Sequence, residues 1–155
     1  FRPQFHIHPG LTALQLAAAK VGTPFMNDFC AVSLSDKLTP WKTIEGRLLG
    51  AAIGDFVVAI YNPRSEDRNW QLARAIEIFC EYRSAEVPVV LARQLGRTEE
   101  KVAIFTLDTL PVDEVDMLSL VVIGNSSSQL KDCWFLTPRG YSVKEDIGLN
   151  RTQSG

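Results

Sequence analysis

The stretch Asp55–Tyr61, DFVVAIY, has six apolar residues among seven positions. A strand with one wet face alternates apolar and polar residues, so an unbroken run predicts a strand buried on both faces. Val87–Arg93 (VPVVLAR) and Leu118–Gly124 (LSLVVIG) read the same way. Such strands need helices above and below them. That requirement constrains the fold of this chain more than any other feature of its sequence.

The intervening stretches supply the helices. Pro9-Gly10 predicts a turn, Thr12 a cap, and Leu14–Val21 a helix stopped by Gly22 and Pro24. Thr39 followed by Pro40 predicts an N-cap with proline in the first turn of a helix over Trp41–Ile53. A third helix is expected from about Asp67 to Tyr82, with Leu72, Ile76 and Phe79 at helical spacing. Phe29–Leu34 and Phe56–Tyr61 are early strands, and Lys101–Leu107 follows the QLGRTEE turn. Helices and strands alternate early and strands cluster late. The fold class is therefore a three-layer α/β/α domain with a mixed, parallel and antiparallel, sheet. Its expected limits are residues 1–141, with a loose tail over 142–155. The opening FRPQFHIHPG reads as a strand already in progress, as in a piece cut from a longer protein.

Composition narrows the function. A formal charge of -2 is not the footprint of a nucleic-acid binder. No apolar run approaches the ~20 residues that span a bilayer. Three scattered cysteines read as reduced thiols of a cytoplasmic protein, not as a disulfide frame or a metal site. His6-x-His8 offers two imidazoles on one strand face, fewer than a metal site uses. Glu99-Glu100 reads as a solvated turn.

Chemistry is expected where strands of an open α/β sheet end. Four such ends carry polar or glycine-bearing sequences: Ser33–Asp36, Tyr61–Arg64, Arg93–Arg97 and Gly124–Ser126. The PGLTA turn at the start adds a fifth. Each alone is ordinary turn chemistry; five together predict a polar ligand face without naming the ligand.

Taken as a set, PGLTALQLAAAKVGTPFMNDFCAVSLSDKLTPW, DFVVAIYNPRS, LGRTEE, VDMLSLVVIGNSS and TPRGY resemble the C-terminal half of the tetrapyrrole methylases. The segments SLSDKLTPW, YNPRS and TPRGY resemble the ring-contracting C17-methyltransferase branch, whose substrates are precorrin-3B and cobalt-factor III. The resemblance covers Pro9 to Tyr141. It implies a cytoplasmic, usually dimeric enzyme of cobalamin synthesis. That enzyme would move a methyl group from S-adenosylmethionine to C17 of a tetrapyrrole as the macrocycle contracts. It also implies cofactor contacts from Thr12, Ala13, Tyr61, Asn62 and Gly96. The family's glycine-rich GxGPG half has no counterpart in these residues, so the chain is expected to form one wall of a site and to be inactive alone. Relatives often carry histidine where Asn27 stands.

The implied substrate is a flat macrocycle rimmed with carboxylates, which bidentate arginines suit. Arg64, Arg97 and Arg139 are the candidates within the branch motifs, with Arg68 and Arg93 behind them; the alternative for each is a surface ion pair. Asp36, Ser35 and Asp28 are weak candidates for proton movement, and Asp36 serves equally well as a turn cap. The rival reading is a non-catalytic tetrapyrrole-binding or dimerisation module of the same fold. A third, methylation at another ring carbon, fits SLSDKLTPW and YNPRS less well.

Overall fold

The computed structural model describes residues 3–140, so the expected tail over 142–155 lies outside the described residues. In chain order the elements are α1 (Ala13–Val21), β1 (Gly22–Thr23), β2 (Phe29–Ser33), α2 (Trp41–Ile53), β3 (Val57–Tyr61) and α3 (Gln71–Cys80). Then come β4 (Pro88–Arg93), β5 (Lys101–Thr106), β6 (Ser119–Ile123), β7 (Gln129–Lys131) and β8 (Trp134–Leu136). The main sheet has the order β2-β3-β6-β4-β5. β2 runs parallel to β3, while β6 is antiparallel to both β3 and β4, which are therefore parallel to each other. A small sheet, β1-β8-β7, closes the far end of the chain.

The apolar runs do what unbroken runs predict. Val57, Ala59, Val90, Ala92, Leu120 and Val122 pack with Ala17 and Val21 of α1 on one face. Val58, Ile60, Val89, Val121 and Ile123 pack on the other face, with Ile44 and Leu48 of α2 and Leu72 and Phe79 of α3. Burial of each such aliphatic side chain is worth roughly 1.5–3 kcal/mol. The result is the three-layer α/β/α arrangement with a mixed sheet. No helix among the described residues is long and apolar enough to cross a membrane.

Four local expectations are corrected. Residues 3–10 form no strand: they are exposed and unpaired in any sheet, so His6 and His8 share no strand face. The N-cap of α2 is Pro40, with φ -55° and ψ 140°, and its carbonyl accepts from Thr43 and Ile44 N–H; Thr39 is one residue too early. α3 begins at Gln71 because Ser65 and Arg68 exchange backbone hydrogen bonds, closing a tight loop that a helix from Asp67 would break. Finally, Gly22-Thr23 does more than stop α1. The pair joins β8 in parallel, and a Cβ on Gly22 would meet the Phe135 carbonyl at 2.7 Å.

Strand direction sorts the loops into two groups. β2, β3 and β4 end at the same edge of the sheet, where β6 begins: Ser33 pairs with Tyr61, and Arg93 with Ser119. β6 ends at the opposite edge. Gly124-Asn125-Ser126 thus leaves the expected ligand face and binds the α2–β3 turn, where Asn125 Nδ2 donates to the Asp55 carbonyl and Ser126 N–H to its carboxylate. At that edge the buried Arg83 guanidinium reaches the carbonyls of Gly124, Ala51 and Phe56. Burial pushes its pKa down, and the Asp55 carboxylate acts in the opposite sense.

Candidate functional site

The edge where β2, β3 and β4 end carries backbone that most side chains avoid. Asn62 (φ 50°), Gln94 (φ 52°) and Gly96 (φ 74°) all lie in the left-handed region. Two of these three are not glycine; Asp55 (φ 52°), at the opposite edge, and Asp132 (φ 57°), in the β7–β8 turn, share that conformation, so strain alone does not single out this edge. At Asn62 the restraint is visible. Its Nδ2 donates to Ser33 Oγ at 2.9 Å, and its carbonyl accepts from Arg68 Nη2 at 3.1 Å.

Helix α1 is tied to the same edge. The Leu14 N–H, unsatisfied within the helix because it lies in the first turn, donates to the Tyr61 hydroxyl at 3.2 Å. Thr12 N–H donates to Gln15 Oε1 at 2.9 Å, which sets the start of the helix. Lys20 of α1 pairs with Glu100 at 2.7 Å, and the same carboxylate accepts from Gly96 N–H. The Gly96 amide foremost, and the Lys20 ammonium after it, hold the Glu100 carboxyl below its ordinary pKa. Glu100 is therefore a clasp between α1 and the β4–β5 turn, more than the solvated end expected of Glu99-Glu100.

Between these pieces lies a groove of about 240 Å³ lined by Ala13, Tyr61, Asn62, Gln94, Arg97 and Met117, among others. Beside it a second cavity of about 430 Å³ is lined by Arg64, Ser65, Glu66, Asn69, Asp116 and Met117. Met117 borders both. Its turn is fixed by Asp116, whose carboxylate accepts from Leu118 N–H and Ser119 Oγ and pairs with Arg93 at 2.6 Å.

The structure brings together Ala13, Tyr61, Asn62 and Arg97, with Arg64 in the adjoining cavity. Thr12 and Gly96 stand at the margins, as neither lines the groove. Arg64 donates to the Val112 carbonyl and to Asp113, both at 2.8 Å. The remaining candidates lie elsewhere. Asp36 accepts from the buried Gln71 Nε2 at 2.9 Å, a brace between the β2 end and α3. Ser35 donates its N–H to Ser33 Oγ. Asp28 precedes β2, and its carbonyl accepts from Val57 N–H at the opposite edge. Arg139 is exposed and follows Thr137, whose hydroxyl bonds Ser128 at 2.8 Å, also at that opposite edge. Sequence reasoning held Gln94 within the Arg93–Arg97 segment without singling it out, and it overlooked Met117. The first is a side chain in a left-handed position with no glycine to mark it, and the second an apolar residue within a turn.

The arrangement suits a ligand that is partly apolar and partly hydrogen-bonding. Tyr61, Leu95, Leu120 and Met117 give apolar surface, and Asn62, Gln94 and Ser119 give polar groups. The absence of a Cβ clash at Gly96, where the nearest atom is Leu16 Cδ1 at 3.7 Å, leaves the rim open.

The family model of the tetrapyrrole (corrin/porphyrin) methylases matches residues 2–111. A probable cobalt-factor III C(17)-methyltransferase of Salmonella typhimurium is 44% identical over 135 residues, 87% of this chain and 56% of that protein. A precorrin-3B C(17)-methyltransferase of a Sinorhizobium species is 43% identical over 124 residues, 80% of this chain and 49% of that protein. The crystal structure of the methyltransferase CobJ superposes with a TM-score of 0.79 at 38% identity, over 84% of this chain and 54% of that one. The chain thus spans about half the length of these relatives.

Proposed function

The chain belongs to the tetrapyrrole (corrin/porphyrin) methylases, and we propose that it forms one wall of an S-adenosylmethionine-dependent C17-methyltransferase site acting on precorrin-3B or cobalt-factor III in cobalamin synthesis. The observation that carries this reading is the convergence of α1's first residue, Ala13, with Tyr61-Asn62 and the Gln94–Arg97 turn on one groove. The relatives' names supply the reaction class, and the groove supplies a place for it.

S-adenosylmethionine, when bound, supplies a methyl group on a sulfonium. The task of this chain is to hold and orient. Ala13 keeps the groove wall low, the Tyr61 ring forms its side, and the left-handed turns at Asn62 and Gln94 present backbone and amide groups to a polar ligand. Methyl transfer is an in-line displacement, so alignment of donor and acceptor accounts for much of the acceleration. Arg97, exposed on the groove rim, suits a peripheral carboxylate of the macrocycle, and Arg64 does so in the adjoining cavity. Arg139, at the opposite edge, takes no part in this reading. It assigns no proton transfer to Asp28, Ser35 or Asp36 either.

A groove of about 240 Å³ is smaller than the roughly 300–1,000 Å³ of pockets that enclose a ligand. A second wall therefore completes the site, in the role the resemblance gives to a glycine-rich half of the same polypeptide. A homodimer and a cytoplasmic setting are part of the same proposal, on the family resemblance alone. The test is calorimetric titration of S-adenosylhomocysteine into this chain and into a polypeptide joining it to a family glycine-rich half. Binding to the joined form with little to the chain alone is expected. Binding to neither overturns the reading.

A further inference from the structure

Arg68 stands out among the cations near the groove. It is only 3% exposed, yet among the described residues no carboxylate lies within ion-pair distance of it. The neighbouring arginines are paired, Arg64 with Asp113 and Arg93 with Asp116. Asp116 adjoins Met117 but turns its carboxylate towards Arg93, Leu118 and Ser119. What Arg68 has instead is a carbonyl and a thioether. Nη2 donates to Asn62 O at 3.1 Å and to Met117 Sδ at 3.3 Å, while the buried Nε has no partner.

A buried guanidinium is costly unless its charge and its N–H groups are answered. Sulfur is a weak acceptor and carries no charge. Nε and Nη2 also form one edge of the guanidinium, the edge that takes a carboxylate in a two-point contact. This is the edge left underused. Arg68 lines neither cavity itself; Met117, a half-exposed side chain that borders both, lies against Nη2 on this edge.

We propose that Arg68 is a latent carboxylate-binding residue of this cleft, with the Met117 thioether as a displaceable cover that a ligand carboxylate replaces on the Nε–Nη2 edge. The identity of the ligand rests on the methyltransferase reading, which offers two sources: the amino-acid end of the methyl donor and the acetate or propionate groups of the macrocycle. The same guanidinium holds the Asn62 carbonyl, so a carboxylate bound there would also report on the turn that shapes the groove.

The first test needs no physiological ligand. The Arg68 Nε–H resonance of the chain, assigned by its loss in Arg68→Lys, is followed by ¹H–¹⁵N NMR during titration with sodium propionate against sodium chloride of equal ionic strength. A saturable shift with propionate is expected, with tighter binding in Met117→Ala, which removes the thioether from Nη2 and leaves the arginine itself in place. No saturable shift in either the parent chain or Met117→Ala overturns the proposal. The second test assigns the source, using the joined polypeptide. Arg68→Lys should weaken S-adenosylhomocysteine but not 5′-methylthioadenosine if the donor's carboxylate is read, and uroporphyrin III if the macrocycle's is. The loss should be about tenfold, as for one charge-assisted hydrogen bond. Unchanged affinity for all three ligands, where they bind the parent, also overturns it. Failure of every ligand to bind the parent sinks the methyltransferase reading, while the propionate result still decides the carboxylate site.

Discussion

Replacing Asn62 by alanine and by glycine separates the two forces that hold the groove turn. Both variants lose the Nδ2 hydrogen bond to Ser33 Oγ, worth about 1 kcal/mol. They differ in the backbone. Asn62 sits at φ 50°, where a Cβ-bearing residue without asparagine's local hydrogen bonding is strained by roughly 1–2 kcal/mol and glycine is not. Glycine in turn carries an unfolded-state entropy cost of about 0.4–1 kcal/mol relative to alanine. Asn62→Ala should therefore lose about 2–3 kcal/mol and Asn62→Gly about 1.5–2 kcal/mol. The order matters more than the sizes, because at an ordinary position glycine is the less stable of the two by roughly 0.5–1 kcal/mol. Urea unfolding followed by circular dichroism, with unchanged m-values, measures both differences. If alanine proves as stable as glycine, the left-handed turn at Asn62 is not a real constraint, and the account of how this turn is held fails.

Two further outcomes are expected. Arg83→Met should cost about 3 kcal/mol or more in the same unfolding assay, because it orphans the acceptors at Gly124, Ala51 and Phe56; a loss below about 1 kcal/mol would show that these carbonyls find water instead. Glu100, whose folded pKa is depressed, contributes stability that is present above its unfolded value of about 4.3 and lost as pH falls through the lower folded value. Glu100→Gln should consequently flatten the acid limb of a plot of Tm against pH, and an unaltered limb would mean that the clasp to Lys20 and Gly96 does not persist in solution.

The strands were legible because burial on both faces leaves an unbroken apolar run, and β3, β4 and β6 each carry one. The small sheet was not, since strands of two or three residues such as β1, β7 and β8 have no period to detect. Nor does sequence distinguish a buried arginine from a wet one. Arg68 was only a secondary candidate and Arg83 drew no notice, and only the tertiary contacts reveal that one lacks a charged partner while the other holds three carbonyls. Tyr61-Asn62 was recognised through its motif, yet the reason Asn62 suits the place, a left-handed turn held from two sides, lies in Ser33 and Arg68.

The inclusion of Gly124-Asn125-Ser126 in the expected ligand face came from strand direction, which an apolar run does not encode. LSLVVIG is as buried in one sense as in the other. The connection before it carries the missing information. β5 ends at Thr106, paired with Pro88 at the start of β4, and β6 begins at Ser119, paired with Arg93 at the end of β4. Residues 107–118 must therefore cross the full height of the sheet. LDTLPVDEVDML contains Pro111 and crosses without regular structure, through a turn at 107–109, a short 3-10 turn at Val112–Glu114 and a turn at 117–118. Fully extended, at about 3.3 Å per residue, it would reach well beyond the ~17–20 Å of a typical strand, which leaves length to spare for these turns. Leu107, Leu110 and Val115 are buried in the core beside α2 and α3, which anchors the crossing to that face. A chain that has already crossed the sheet in its connection re-enters from the edge where β3 and β4 end, and its next strand runs antiparallel to both. The polar residues after that strand are then delivered to the other edge, where they secure the Asp55 turn and leave the groove to Tyr61, Asn62 and the Met117 loop.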